Sequence, residues 1–338
     1  MSTFAHDVLQ PLVRGTDLER TQAREALAEI LAGRVDGVLI ASFLTALTCK
    51  GETVAEMTGF VDAMLDAATT LRVREDAIDI VGTGGDQLHT VNVSTMASLA
   101  VAGCGVPVAK HGNRAASSSV GSADVLEALG VRLDVSPETV ATSLEEAHIA
   151  FLFAPTYHHA LGYLTPIRRA LSFRSVFNVL GPLANPARVR RGVIGVAQSH
   201  LIDAMAQVVH AHDPHHVVLV HAHDGLDELS LGASSTLVRV DDQGVSLSEV
   251  DAGDLLGVHH DVAAIRGGDT DDNVAVVRRF LEGHEGPVMD VVCANAGLAL
   301  VTAGHAATLV EGYAQARESV TSGRAATALE RLVAVSNS

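Results

Sequence analysis

The sequence predicts an α/β protein in which a small helical domain precedes a larger α/β domain, and two patterns carry that expectation. Apolar positions recur at helical spacing through residues 1–72, and short apolar runs of strand length begin only at Ile78, after which strands alternate with helical stretches. The composition agrees: 48 % of the 338 residues are hydrophobic and mean hydropathy is +0.27, enough for a large buried core.

In order along the chain, residues 18–31 place Ala and Leu on one helical face, and residues 38–47 form a strongly apolar helix. Thr53-x-x-Glu56 is a capping box, opening a helix that the pattern carries to about Leu71. Residues 72–77 are a charged break and a hinge before the first strand. No chemistry is visible in this helical part.

Residues 78–81, Ile-Asp-Ile-Val, read as a buried strand that stops at Gly82. Gly82, Gly84 and Gly85 carry no Cβ and allow positive φ, so their backbone N–H groups can approach a phosphate. Asn92, Ser94 and Thr95 then stand where an apolar helix starts, and a helix N-terminus favours anions. The spacing matches neither G-x-G-x-x-G nor a P-loop, so the stretch reads as an anion cradle or a plain tight turn.

The second strand, residues 106–109, runs into Lys110-His111-Gly112-Asn113-Arg114-Ala115-Ala116-Ser117-Ser118-Ser119. Two cations, an amide and three hydroxyls therefore lie in one loop at the C-terminal end of a strand, the usual site position in such sheets. Ser122 and Asp124 open a helix to Leu129, and residues 139–147 form the next. A strand at 148–153 ends at Ala154-Pro155-Thr156-Tyr157-His158-His159. Residues 165–187, with Pro166, Pro182 and Pro186 among Arg168, Arg169 and Arg174, break the rhythm and read as an excursion back to the helical domain. Strand 192–197, helix 201–212 and strand 217–220 restore it, and the last strand delivers Asp224, Asp227 and Glu228. Adjacent carboxylates suit Mg²⁺, which takes hard oxygen ligands, although most acidic pairs are simply solvated. A hairpin about Asp242-Gln243-Gly244 follows, then helices over 272–282, 288–302, 306–321 and 324–335.

Composition excludes several function classes. A net charge of −17 repels nucleic-acid backbones and acidic membranes, and 3 % aromatics without Trp give no stacking platform for bases. No apolar run reaches the roughly 18 residues of a membrane span, and the start of the chain does not read as a signal peptide, so a cytoplasmic protein is expected. Cys49, Cys104 and Cys293 are odd in number and far apart, and read as reduced core thiols. The histidines show none of the structural-zinc spacings.

Six motifs in order resemble the anthranilate phosphoribosyltransferases. They are Gly82-Thr83-Gly84-Gly85-Asp86, Asn92-Val93-Ser94-Thr95, Lys110 to Arg114 with its serines, Ala154 to His158, Phe177 to Pro186, and Asp224 to Glu228, spanning residues 78–230. The resemblance implies the nucleoside-phosphorylase-like phosphoribosyltransferase fold, with a central, mostly parallel sheet. It places the small helical domain at 1–72 and roughly 165–187, and the large domain at 78–164 and 188–338. It implies transfer of the phosphoribosyl group of 5-phosphoribosyl diphosphate to anthranilate, with diphosphate released, in tryptophan biosynthesis.

The resemblance also assigns residues. Phosphoribosyl diphosphate falls to Gly82, Gly85, Asp86, Thr90, Asn92, Val93, Ser94, Thr95, Lys110, His111, Gly112, Asn113, Arg114, Ala115, Ala116, Ser117, Ser118 and Ser122. Anthranilate falls to Gly82, Asn113 and Arg168, with His111, Tyr157 and His158 as further walls. Two Mg²⁺ ions per subunit fall to Ser94, Asp227 and Glu228, and a homodimer forms through the helical domain. No general base is assigned, because an aromatic amine is already a usable nucleophile and positioning outweighs proton removal. The chain departs from the family's pattern at Gln87-Leu88-His89, where relatives have Gly and a small or polar pair. It departs again at His221-Ala222-His223 and at Ala170-Leu171-Ser172. The alternatives are a phosphoribosyltransferase for another aromatic amine, a pyrimidine-nucleoside phosphorylase-like enzyme, and a non-catalytic binding paralogue.

Overall fold

The structure, a computed structural model, describes residues 3–115 and 120–338. Its centre is a seven-stranded sheet of β1 (Ile78–Gly82), β2 (Val108–Gly112), β3 (Ile149–Phe153), β4 (Arg191–Gly195), β5 (His216–Ala222), β6 (Ser235–Asp241) and β7 (Gly244–Val250), in the order β3-β2-β1-β4-β5-β6-β7. Strands β1 to β5 are parallel, and the β6–β7 hairpin is antiparallel at one edge, as the turn at Asp242-Gln243 requires. The chain order reverses beside β1, so the crevice for a ligand lies at the C-terminal ends of β1 and its neighbours.

The two faces of the sheet are covered differently. Ile78 and Ile80 point into a cluster with the Val93–Gly103 helix and the C-terminal helices Pro287–Thr302, Leu309–Thr321 and Arg324–Ser336. Ile194, Val217 and Leu219, on the other face, pack with the N-terminal helices Arg20–Leu31, Gly37–Lys50 and Val54–Ala67. Leu164, Val176, Phe177 and Leu180 join that same cluster. Among the described residues no helix is long and apolar enough to cross a membrane.

Local chemistry explains where elements start and stop. The Thr53 capping box forms, with Glu56 N–H donating to Thr53 Oγ1 at 3.2 Å and Thr53 N–H to Glu56 Oε2 at 2.8 Å. Glu56 is fully buried because Lys50 Nζ (2.9 Å) and the Leu18 N–H (3.0 Å) also satisfy it. The helix ends at Ala67, earlier than the pattern suggests, because the Thr69 N–H is taken by the Tyr157 carbonyl. Strand β2 starts two residues later than expected and runs on through Lys110 and His111, two polar residues that a buried strand tolerates only with partners. Of the three cysteines, only Cys293 is a core thiol; Cys104 is half-buried and Cys49 is exposed. The expectation of three core thiols is corrected on that point: Cys49 sits in the last turn of its helix and faces outward.

Candidate active site

A cleft of about 330 Å³ opens over the C-terminal ends of β1 and β2. The glycine-rich turn leaves β1 with Gly84 and Gly85 at φ of 63° and 79°. Gln87 (61°) and His89 (54°) also hold positive φ, so this chain puts bulkier residues into a conformation that favours glycine. The turn is tied down from outside: the Val91 N–H donates to the Ile265 carbonyl and the Gly267 N–H to that of His89. It then enters the Val93–Gly103 helix, whose first turn carries Val93, Ser94 and Thr95. Among the described residues Asn92 Oδ1 and Thr95 Oγ1 are buried without a hydrogen-bond partner, an arrangement that wants a polar ligand.

Asp227 and Glu228 reach this turn from the loop after β5. Gly82 and Gly195 face each other across β1 and β4, and a Cβ on Gly195 would overlap the Asp227 carbonyl. Two facing glycines therefore make the room for the acidic pair. Asp227 Oδ2 accepts the Gly84 N–H at 2.7 Å. Burial, reinforced by Asp86, pushes the Asp227 carboxyl up to about 6, and burial beside Asp227 pushes Glu228 well above its usual value. Two buried adjacent carboxylates repel each other, and the donor set of two carboxylates with the Ser94 hydroxyl matches a hard divalent cation.

Lys110 supplies a buried cation beside them. Its Nζ donates to the Ile80 carbonyl at 2.6 Å and to Ser94 Oγ at 3.3 Å, and burial lowers its pKa against the pull of Asp79 and Glu228. Lys110 does this because β1 and β2 part early: their only paired position is Ile78 with Val108, while β1 and β4 pair over five. Side chains replace the missing ladder. Asp79 Oδ1 accepts the His111 N–H (3.1 Å) and Asp79 Oδ2 an amide hydrogen of Asn185 (2.8 Å). Burial raises the Asp79 carboxyl to about 6. A charged residue inside the Ile-Asp-Ile-Val run was the signal for Asp79, and sequence reasoning gave it no role.

Every described residue assigned to phosphoribosyl diphosphate lines this one cleft: Gly82, Gly85, Asp86, Thr90, Asn92, Val93, Ser94, Thr95, Lys110, His111, Gly112, Asn113, Arg114, Ala115 and Ser122. Ala116, Ser117 and Ser118 lie outside the described residues. Arg114 lines the mouth with its guanidinium turned to Glu127 (2.7 Å) and Asp124 (3.0 Å). Arg168 lines the opposite wall, 5.5 Å above the Phe177 ring, with burial lowering its pKa. Phe177, Asn178, Gly181 and Pro182 line it too and had been given no side-chain role.

Tyr157 and His158 are placed elsewhere. Tyr157 packs with Leu71, Val140 and Leu152, its hydroxyl buried with no partner among the described residues and its pKa pushed up to about 12 by burial. His158 is bonded through Nε2 to the Ala184 carbonyl (2.9 Å) and meets the cleft only through His111, whose ring lies 5.5 Å away. Burial, then His158, depresses His111 to about 3, so it stays neutral and is a weak base. Asp224 turns into its own loop, accepting Ser230 Oγ at 2.6 Å.

Comparison with known proteins decides the family. Residues 74–326 match the α/β domain of a glycosyl transferase family and residues 6–68 its helical bundle domain. An anthranilate phosphoribosyltransferase of Thermomicrobium roseum is 48 % identical, covering 98 % of this chain and 96 % of that one. The chain belongs to the anthranilate phosphoribosyltransferase family. A crystal structure of the enzyme from Thermus thermophilus superposes with a TM-score of 0.91 at 41 % identity, covering 98 % of this chain and 100 % of that one. The family's enzyme from Saccharomyces cerevisiae, solved in complex with PRPP and Mg, superposes with a TM-score of 0.90 at 27 % identity, covering 100 % and 99 %.

Proposed function

We propose that this chain transfers the phosphoribosyl group of 5-phosphoribosyl diphosphate to the amino group of anthranilate, giving N-(5-phosphoribosyl)anthranilate and diphosphate in tryptophan biosynthesis. One observation carries the reading: a turn whose Gly85 and Asp86 N–H groups meet no acceptor among the described residues, a buried lysine and a buried carboxylate pair converge on one cleft that also holds Arg168.

Each group has a task in that reaction. The first turn of the Val93–Gly103 helix and the glycine-rich turn offer N–H and hydroxyl donors to the diphosphate. Ser94, Asp227 and Glu228 would hold magnesium, two ions per subunit, and Asn92 Oδ1 and Thr95 Oγ1, buried without a partner among the described residues, line the same cleft as these oxygen ligands. Bound magnesium supplies positive charge against the leaving diphosphate. Lys110 holds its charge beneath the same centre and fixes Ser94. Arg168 pairs with the anthranilate carboxylate, and the Phe177 ring beneath it restricts its rotation. His111, neutral and weakly basic, orients the acceptor and removes no proton. The two-domain division, the homodimer through the helical layer and a cytoplasmic location complete the proposal.

Loss of anthranilate fluorescence on mixing with 5-phosphoribosyl diphosphate tests it. Turnover that needs Mg²⁺ is expected. Unchanged fluorescence with 5-phosphoribosyl diphosphate still binding in a calorimeter would move the activity to another aromatic amine.

A further inference from the structure

We propose that Arg174 is a positioning residue that aims the diphosphate-binding amides, an inference that rests on the reading of the cleft above. Arg174 stands in the segment between the Thr165–Leu171 and Phe177–Leu180 helices, on the acceptor side of the cleft. The segment is itself anchored, the Ser175 N–H donating to Asn178 Oδ1 at 3.0 Å. From there the half-buried guanidinium reaches the glycine-rich turn, Nη1 donating to the Gly85 carbonyl at 3.2 Å and Nη2 to the Gly84 carbonyl at 3.3 Å.

The partners decide what this arrangement does. Among the described residues Arg174 forms no ion pair with a carboxylate; both bonds go to successive neutral carbonyls. In a trans peptide the N–H points opposite to the C=O. Holding the Gly84 and Gly85 carbonyls toward Arg174 therefore turns the Gly85 and Asp86 N–H groups away from it. Among the described residues neither of those N–H groups meets an acceptor, and Gly85 and Asp86 both line the cleft. The neighbouring Gly84 N–H is already spent on Asp227. Gly85 holds φ of 79°, which favours glycine, and a Cβ there would push the guanidinium off the turn.

Arg174 is not among the residues lining the cleft; it meets the site through its two bonds to the turn and through its charge, which favours ionised Asp227. Only a planar fork with two parallel donors spans two consecutive carbonyls; an ammonium does not. The same bonds join the segment that carries Arg168 and Phe177 to the diphosphate turn, which links the two halves of the site.

Calorimetric titration of the full chain with inorganic diphosphate and Mg²⁺ tests this, with Arg174→Ala and Arg174→Lys beside the wild type. Both variants are expected to bind diphosphate about tenfold more weakly, the scale of one charge-assisted hydrogen bond. In turnover, KM for 5-phosphoribosyl diphosphate rises in both while KM for anthranilate moves much less, and millimolar guanidinium restores binding to Arg174→Ala alone. Arg174→Lys with wild-type affinity would overturn the inference, since charge without the fork would then suffice. Variants as tight as a wild type that does bind would also overturn it and leave the cleft reading standing. A wild type that binds no diphosphate defeats both.

Discussion

Replacing Asp79 with Asn separates the electrostatic cost of that buried carboxylate from the structural use of its hydrogen bonds. Asp79 is 4 % exposed and its carboxyl is raised from 3.8 to about 6 by burial, so at pH 7 it is ionised in the fold at a cost. A shift of about 2.2 pH units corresponds to about 3 kcal/mol, the most that protonating Asp79 can return. The sign follows from the fold's carboxyl binding its proton more tightly than the unfolded chain's. Stability from this group is absent above pH 7, grows as pH falls through about 6, and is complete below about 4. Between pH 7 and pH 5 the wild type should therefore gain about 1.3 kcal/mol relative to Asp79→Asn, in which the group does not titrate. At pH 7 the two differ by less than about 2 kcal/mol, because relief of the buried charge offsets a lost bond to Asn185 or His111. Turnover at pH 7 nevertheless falls, since Lys110 loses the charge opposite it and the parted β1 and β2 lose their side-chain bridge. Urea denaturation of both proteins at several pH values reads the stability difference. Wild-type stability that stays flat, or falls, relative to Asp79→Asn as pH drops from 7 to 5 would refute the reasoning.

Three further outcomes follow from named contacts. Gln87→Val should destabilise the fold by about 1–2 kcal/mol by chemical denaturation, because a β-branched residue resists the positive φ that Gln87 holds, and Gln87→Gly should not. Gly195→Ala should lower turnover more than stability, since its Cβ displaces the Asp227 backbone beneath the acidic pair; wild-type kcat/KM would count against the account. A thiol reagent under native conditions should label Cys49 fast and Cys293 only on unfolding, read by mass spectrometry, with activity unchanged by the Cys49 label.

Strands β1 and β3 were legible because each is a short apolar run that ends in a polar loop: 78–81 against Ile78–Gly82, and 148–153 against Ile149–Phe153. The hairpin was legible from Gln243-Gly244, and the helix at Val54 from its capping box. What sequence reasoning lost was long-range replacement of local bonds. Strand β2 continues through Lys110 and His111 because groups distant in sequence take their polar hydrogens: Ile80 and Ser94 accept from the Lys110 ammonium, and Asp79 accepts the His111 backbone N–H. The described residues expected to hold phosphoribosyl diphosphate line one cleft together because they sit in two continuous loops at the C-terminal ends of β1 and β2. The residues expected around the acceptor separate: His158 is spent on Ala184 and Tyr157 packs in a separate cluster, while Phe177 and Asn178 reach the cleft from a broken segment without periodicity.

The affinity for 5-phosphoribosyl diphosphate with and without Mg²⁺, in the wild type and in Glu228→Gln, tests the central claim most directly. The account predicts that removing Mg²⁺ weakens wild-type binding by about tenfold or more, and that Glu228→Gln binds weakly and responds little to the metal. A Glu228→Gln protein that keeps the full Mg²⁺ dependence would contradict the assignment of the acidic pair to the metal.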